Sequence, residues 1–211
     1  MKLLPSIINL VSAALLVAFC NYVVDVPLAL LVKESFRKSP TWAKYVSDIP
    51  DTLFLVVCVT TLVSCAGYLV RVQKNVFDRA TRCFLLIAFV VPLSYAGKSV
   101  LKFVFGRVNT RVWLSRPELY GFHWFHGSRL WEGFPSGHMA VFTALFAALW
   151  RYYPRSRPLC LFLSLLLAAA LVVTNYHFLG DVVGGVYLGI FVEAGTYAAL
   201  KRIMSCGVGE F

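Results

Sequence analysis

Six long apolar runs leave this chain few ways to fold. They lie at about residues 7–24, 52–70, 83–101, 137–153, 159–179 and 182–200. Each is close to the ~20 residues that cross a hydrocarbon core as a helix. Backbone amides cannot go unpaired in lipid, so such runs must be helices or strands of a closed barrel. They are rich in Leu, Ala and Val and lack the period-two alternation of barrel strands, so helices are predicted. Only 14% of the residues are charged, against about a quarter in a water-soluble domain. The expected fold class is therefore an all-α integral membrane protein, with six transmembrane helices in one bundle over residues 1–211. The first run continues through Asn21 to Val24 without a small-residue cleavage site, so it reads as a retained span and not a signal peptide.

The formal net charge is +10, which raises nucleic acid as a partner. The basic residues mostly sit between the apolar runs and form no stripe, so membrane topology and phosphate binding account for them and no nucleic acid is expected. Cysteines 20, 58, 65, 83, 160 and 206 have no CxxC spacing and read as small apolar side chains, without disulfides. Lysine and arginine also suggest an orientation. With Lys2 in the cytoplasm, Arg71, Lys74, Arg79 and Arg82, then Arg151, Arg155 and Arg157, then Lys201 and Arg202 face inward. Residues 33–50, 103–136 and the corner near Gly180 face outward. Segment 33–50 mixes Phe36, Trp42 and Tyr45 with lysines and could lie along the interface or form a loop.

The outward side gathers chemistry that the rest of the chain lacks. Lys98 and Lys102 end the third run, and Arg107 and Arg111 follow. Pro135-Ser136-Gly137-His138 opens the fourth run, and His177 and Asp181 close the fifth. Ser136 is a plausible N-cap, and a helix N-terminus with Ser and Gly presents bare amides to an anion. His138 can reach a bound group as acid or base, although Ser-Gly-His alone is also just a helix start. His177 and Asp181 share a face if one helix carries both. A carboxylate on Nδ1 would then leave Nε2 as a nucleophile. The same spacing also suits a helix-end histidine and an N-cap aspartate. Lys102, Arg107 and Arg111 match phosphate oxygens or snorkel to the membrane surface. Gly184 and Gly185 read as sites of close helix packing.

These residues resemble the type 2 phosphatidic acid phosphatase (PAP2) superfamily, whose signature is K-x6-RP, PSGH and SR-x5-H-x3-D. The second part stands intact at 135–138 and H-x3-D at His177 and Asp181; the first matches at Lys102 and in Gly106-Arg107. The resemblance covers about residues 98–190. Asn109 and Thr110 replace the expected arginine and proline, while Ala170 and Leu171 replace the expected serine and arginine.

The resemblance implies a PAP2-like helical bundle and a membrane phosphatase acting on a phospholipid, lipid A or polyprenyl (pyro)phosphate without a metal or other cofactor. It implies catalytic roles for His177 as nucleophile, His138 as acid and base, and Asp181 behind His177. Lys102, Arg107, Arg111, Ser136 and Gly137 would bind substrate, with Arg111 the preferred stand-in for a missing arginine. A bacterial inner membrane, with the site facing the periplasm, is the expected location. A lipid-to-lipid phosphotransferase or an inactive phosphate- or lipid-binding membrane protein are the alternatives on the same scaffold.

His123 and His126 have metal-compatible spacing but few neighbouring ligands, and are expected to pack in a loop over the site. Trp113, Tyr120, Phe122, Trp124, Phe125 and Trp131 suit an interface belt or a lipid entry path. Asp25 and Glu193, acids within apolar runs, are expected to be internally paired or protonated.

Overall fold

The computed structural model describes residues 3–36 and 49–207, and among these residues the chain is helical, with isolated bridges but no strand. Helix α1 (Leu3–Phe19) passes through a π-helical turn (Cys20–Val24) directly into α2 (Asp25–Phe36). Next come α3 (Ile49–Gln73), α4 (Arg79–Phe105), the short α5 (Thr110–Ser115), α6 (Gly137–Tyr152), α7 (Arg157–Val173) and α8 (Leu179–Gly207). Of segment 33–50, residues 33–36 are the last turn of α2 and residue 49 onward belongs to α3; the remainder lies outside the described residues.

Local chemistry sets the helix ends. The Asp78 side chain caps α4 by accepting the Thr81 N–H at 3.0 Å, and Arg71 holds that carboxylate at 2.6 Å. At the other end Gly106 adopts φ +49, a left-handed conformation that costs glycine little and stops the helix. Asn109 caps α5 through the Val112 N–H, Ser136 caps α6, and a proline sits in the first turn of α7, where a missing N–H is harmless.

Five helical stretches among the described residues are long and apolar enough to cross a membrane: Ile8–Ser35, Thr52–Gln73, Arg79–Phe105, Pro154–Val173 and Leu179–Ser205. The expected count of six is not reached. The run at 137–153 forms α6, whose 16 residues extend only about 24 Å, against ~30 Å of hydrocarbon. The first span also runs longer than the expected 7–24, because α1 continues through the π-helical turn into α2 despite Pro27.

The short helix is central to the bundle. It packs against α4, α7 and α8, and Val141, Ala144 and Ala148 join Leu53 and Val57 of α3 and Leu86, Val90 and Val91 of α4 in the main core. Leucines on the outer helix faces, such as Leu15, Leu62 and Leu165, are exposed, as suits side chains that meet lipid. Cys20, Cys83 and Cys160 are buried.

The closest seam joins α6 to α8. A Cβ on Gly185 would stand 2.6 Å from the Ser136 carbonyl oxygen, and one on Gly189 would stand 2.6 Å from that of Ala140. The two backbones thus approach through small residues, as expected at Gly185, whereas Gly184 faces the ring of Phe134. Deeper along α8, Glu193 accepts from Arg151 at 2.5 and 2.8 Å, the internal pairing expected of it. At the other end the Ser136 N–H donates to the Asp181 carbonyl at 3.0 Å. Lys98 of α4 and Leu53 of α3 border Gly137. The C-terminus of α4 and the N-termini of α6 and α8 therefore meet at one end of the bundle.

Candidate active site

That meeting point holds the residues singled out in the sequence. His177 and Asp181 do not share one helix: α7 stops at Val173, Asn175 turns at φ +50, and α8 starts at Leu179. His177 lies in the turn and Asp181 in the first turn of α8. They still face each other, with Nδ1 of His177 3.5 Å from Oδ2 of Asp181. At that separation the contact is electrostatic and short of a hydrogen bond, and Nδ1 makes no other hydrogen bond. Burial pushes the imidazole below its usual pKa, with Lys102 acting in the same sense and Asp181 opposing. A neutral ring at neutral pH is the form a nucleophile needs.

His138 is the second residue of α6 and is buried. Its ring centroid lies 6.0 Å from that of Tyr176, which in turn lies 5.0 Å from that of His177. Both imidazoles thus flank one phenol ring. Beside His138, the Ser136 hydroxyl oxygen accepts from the Met139 N–H at 3.5 Å, and the stem of Lys98 would meet a Cβ on Gly137 at 3.2 Å.

Lys98 and Lys102 are one helical turn apart on α4. Both line a cavity of about 240 Å³, together with Ser99, Phe103, His126, Gly127, Ser128 and Glu132. Lys102 Nζ is 3.9 Å from Glu132. Like charges at this spacing repel, and the single carboxylate on this wall leaves the pair able to accept an anion. Arg111 is half-buried. It donates to the Thr174 carbonyl at 3.3 Å and lies over the Tyr176 ring at 5.2 Å, the ring that both imidazoles flank.

Arg107 behaves differently from the other cations. It has no exposed surface. Nη1 donates to Asp181 Oδ1 at 2.7 Å, while Nη2 donates to Asp25 Oδ2 at 2.7 Å and to Asn21 Oδ1 at 2.9 Å. Phe178, Phe122 and Tyr120 surround its guanidinium at 4.5, 5.2 and 5.6 Å. Burial alone would lower its pKa, but Asp181 and Asp25 hold it above the usual arginine value. The sequence reading gave Arg107 to phosphate; here its charge goes to two carboxylates. Asp25 and Asn21, from the first helix, are the site residues that reading left out. An acid within an apolar run was the available signal.

The two departures from the signature also have local explanations. Asn109 is the cap of α5. Leu171 is buried in an apolar cluster with Met139 and Val182. Over the site, Trp113 and Tyr120 pack on Phe178 at 5.5 and 5.6 Å, and Val26 and Ala29 of α2 join that cluster. Phe122 packs on Phe134, and His123 stacks on Trp131 at 4.3 Å. Of the six aromatics assigned to a belt or entry path, Trp124 and Phe125 are exposed large side chains.

Comparisons with known proteins show what this chain is similar to. A lipid A 1-phosphatase of Rhizobium johnstonii is 29% identical over 154 residues, which cover 68% of this chain. The chain spans only 58% of that relative's length. No solved structure matches. The model of the PAP2 superfamily matches residues 83–205, a stretch holding Lys98, Lys102, Arg107, Ser136, His138, His177 and Asp181 together, and the chain belongs to that superfamily.

Proposed function

We propose that this chain is a membrane-embedded lipid phosphatase working through a phosphohistidine on His177. The observation that carries the reading is the pair of buried imidazoles flanking Tyr176, one backed by a carboxylate and the other at a capped helix N-terminus beside Lys98. Nε2 of His177 attacks phosphorus as the bond from phosphorus to the lipid oxygen breaks. His138, as imidazolium, gives its proton to the departing oxygen. Neutral His138 then takes a proton from water, whose oxygen attacks phosphorus and releases His177 and inorganic phosphate. Asp181 stabilises the positive charge that develops on His177.

Charge on the non-bridging oxygens is where phosphoryl transfer is chiefly assisted. Lys102, the α6 amides and Ser136 are proposed to hold those oxygens. Lys98 and Arg111 are proposed to stand in for the family arginines replaced by Asn109 and Leu171. The likeness to a lipid A 1-phosphatase of Rhizobium makes a phosphorylated lipid such as lipid A the favoured substrate. The basic loops at the opposite end of the bundle favour a bacterial inner membrane with the site facing the periplasm. A second reading, a phosphate- or lipid-binding protein with little turnover, draws on the same two missing arginines. One lost charge-stabilising contact costs about 3–4 kcal/mol of barrier.

Purified protein incubated with lipid A, phosphatidic acid, phosphatidylglycerophosphate and undecaprenyl pyrophosphate decides between the readings. Phosphate release that His177→Ala abolishes supports the enzyme. Turnover surviving that substitution refutes the mechanism, and binding without release favours the second reading.

A further inference from the structure

The first helix lies outside the stretch matched by the family, yet it reaches the centre of the site. Asp25 makes two contacts there. Oδ2 accepts from Arg107 Nη2 at 2.7 Å, and Oδ1 accepts from the Gly180 N–H at 2.9 Å. The first contact fixes the guanidinium that holds Asp181; the second fixes the backbone one residue before Asp181. Asn21, one helical turn earlier, adds a 2.9 Å bond to the same Nη2, and its carbonyl accepts from the Tyr120 hydroxyl. Both residues sit in or beside the π-helical turn Cys20–Val24, the kind of local widening that often marks a functional site. Space is kept for this arrangement, since a Cβ on Gly180 would stand 2.9 Å from Asp25 Oδ2 and 3.4 Å from Arg107 Nη1.

We infer that Asp25 is a positioning residue for the reaction: through Arg107 it sets the place and the effective charge of the Asp181 carboxylate behind His177. The inference rests on the phosphatase reading above. Arg107, shared between two carboxylates, leaves Asp181 with enough negative charge to support an imidazolium. If Asp25 is neutral, the guanidinium is compensated by Asp181 alone. Less negative charge then faces His177, the imidazolium is destabilised, and His177 protonates at lower pH. The titratable and charged groups around this point come from every neighbouring element. They are Asp181 on α8, Lys102 on α4, His138 on α6, Arg107 and Tyr120 in the loop between α4 and α6, Tyr176 beside His177, Cys20 in the π-helical turn, and Asp25 on α2.

The test compares wild type, Asp25→Asn and Gly180→Ala by two readouts: steady-state phosphate release across pH, and the NMR titration of His177 in histidine-labelled protein. Asp25→Asn is expected to lower kcat roughly 10- to 100-fold, short of the loss expected for an acid–base group itself, with KM nearly unchanged. The acid limb of the profile and the His177 titration should both move down by about half to one pH unit. Gly180→Ala keeps every charge, crowds Asp25 off Arg107, and should move both readouts the same way; it decides the matter if Asp25→Asn does not fold. Unchanged kcat and an unmoved His177 titration in a folded variant overturn the inference, as does a fall in thermal stability alone. If wild type releases no phosphate from any lipid, the phosphatase reading fails separately. The His177 titration still judges the charge coupling, and an unmoved titration overturns it.

Discussion

Adding one methyl group at Gly185 tests the link between helix packing and chemistry. By local propensity Gly185→Ala should stabilise α8, since alanine is preferred over glycine within a helix by about 1 kcal/mol. The seam predicts the reverse. The new Cβ would stand 2.6 Å from the Ser136 carbonyl oxygen, 2.7 Å from the Met139 Cβ and 3.2 Å from the Ala140 nitrogen. Ordinary contacts need ~3.5 Å or more, so α6 and α8 must part by roughly 0.5–1 Å. Overpacking of this kind costs about 1–3 kcal/mol. The same seam carries the 3.0 Å bond from the Ser136 N–H to the Asp181 carbonyl, so His138 on α6 moves away from Asp181 on α8 and from His177 in the turn before it. A misplacement near 1 Å can cost about 100-fold in rate, and a fall in kcat of roughly 10- to 100-fold is expected. Gly195 on the same helix has nothing within 4 Å of its Cβ position, so Gly195→Ala supplies the control, with full activity and equal or higher stability. Phosphate release and thermal melting in detergent measure both effects. Wild-type kcat in Gly185→Ala would show that the seam does not set the geometry of the site.

Further outcomes follow from the same coordinates. Because burial lowers the His177 pKa, the neutral nucleophile persists below the ordinary imidazole value. The acid limb of kcat/KM should therefore fall below pH ~6.5. The folded state also binds fewer protons there than the unfolded chain, so stability contributed by His177 should decline as pH drops through that range, which melting at several pH values checks. Arg151→Ala strands the buried Glu193 carboxylate and should cost about 3 kcal/mol of stability in a detergent melt, while activity per folded molecule stays near wild type. Lys98→Gln should lower kcat/KM by about 100-fold in the phosphate-release assay without a comparable loss of stability. Leu171→Arg restores the family residue but must place a charge among Met139 and Val182; lower yield and no gain in phosphate release are expected.

The sequence was most legible where the physics is one-dimensional. Long apolar runs without alternation become helices whatever packs beside them, and the Ser136 cap and the close approach at Gly185 follow from neighbours in the chain or from residue size. What it hid depended on distant partners. Composition announces the helix at 137–153, which ends at Tyr152, but not that α4, α7 and α8 wall it in. The spacing of His177 and Asp181 looked like one helical face because the left-handed turn at Asn175 has no glycine or proline to announce it. Asp25 was visible as an acid among apolar residues, but its partner lies 82 positions away. Lys102 and Arg107 show most clearly how this works. Both read as cations at the end of one helix, suited to phosphate. Lys102 stays on α4 and faces the cavity with Lys98. Arg107 falls just past the left-handed Gly106, where the chain leaves the helix axis and turns inward to Asn21, Asp25 and Asp181. One glycine thus divides two similar cations between different surroundings: the lysine lines a cavity with Glu132 3.9 Å away, while the arginine pairs with the carboxylate beside His177.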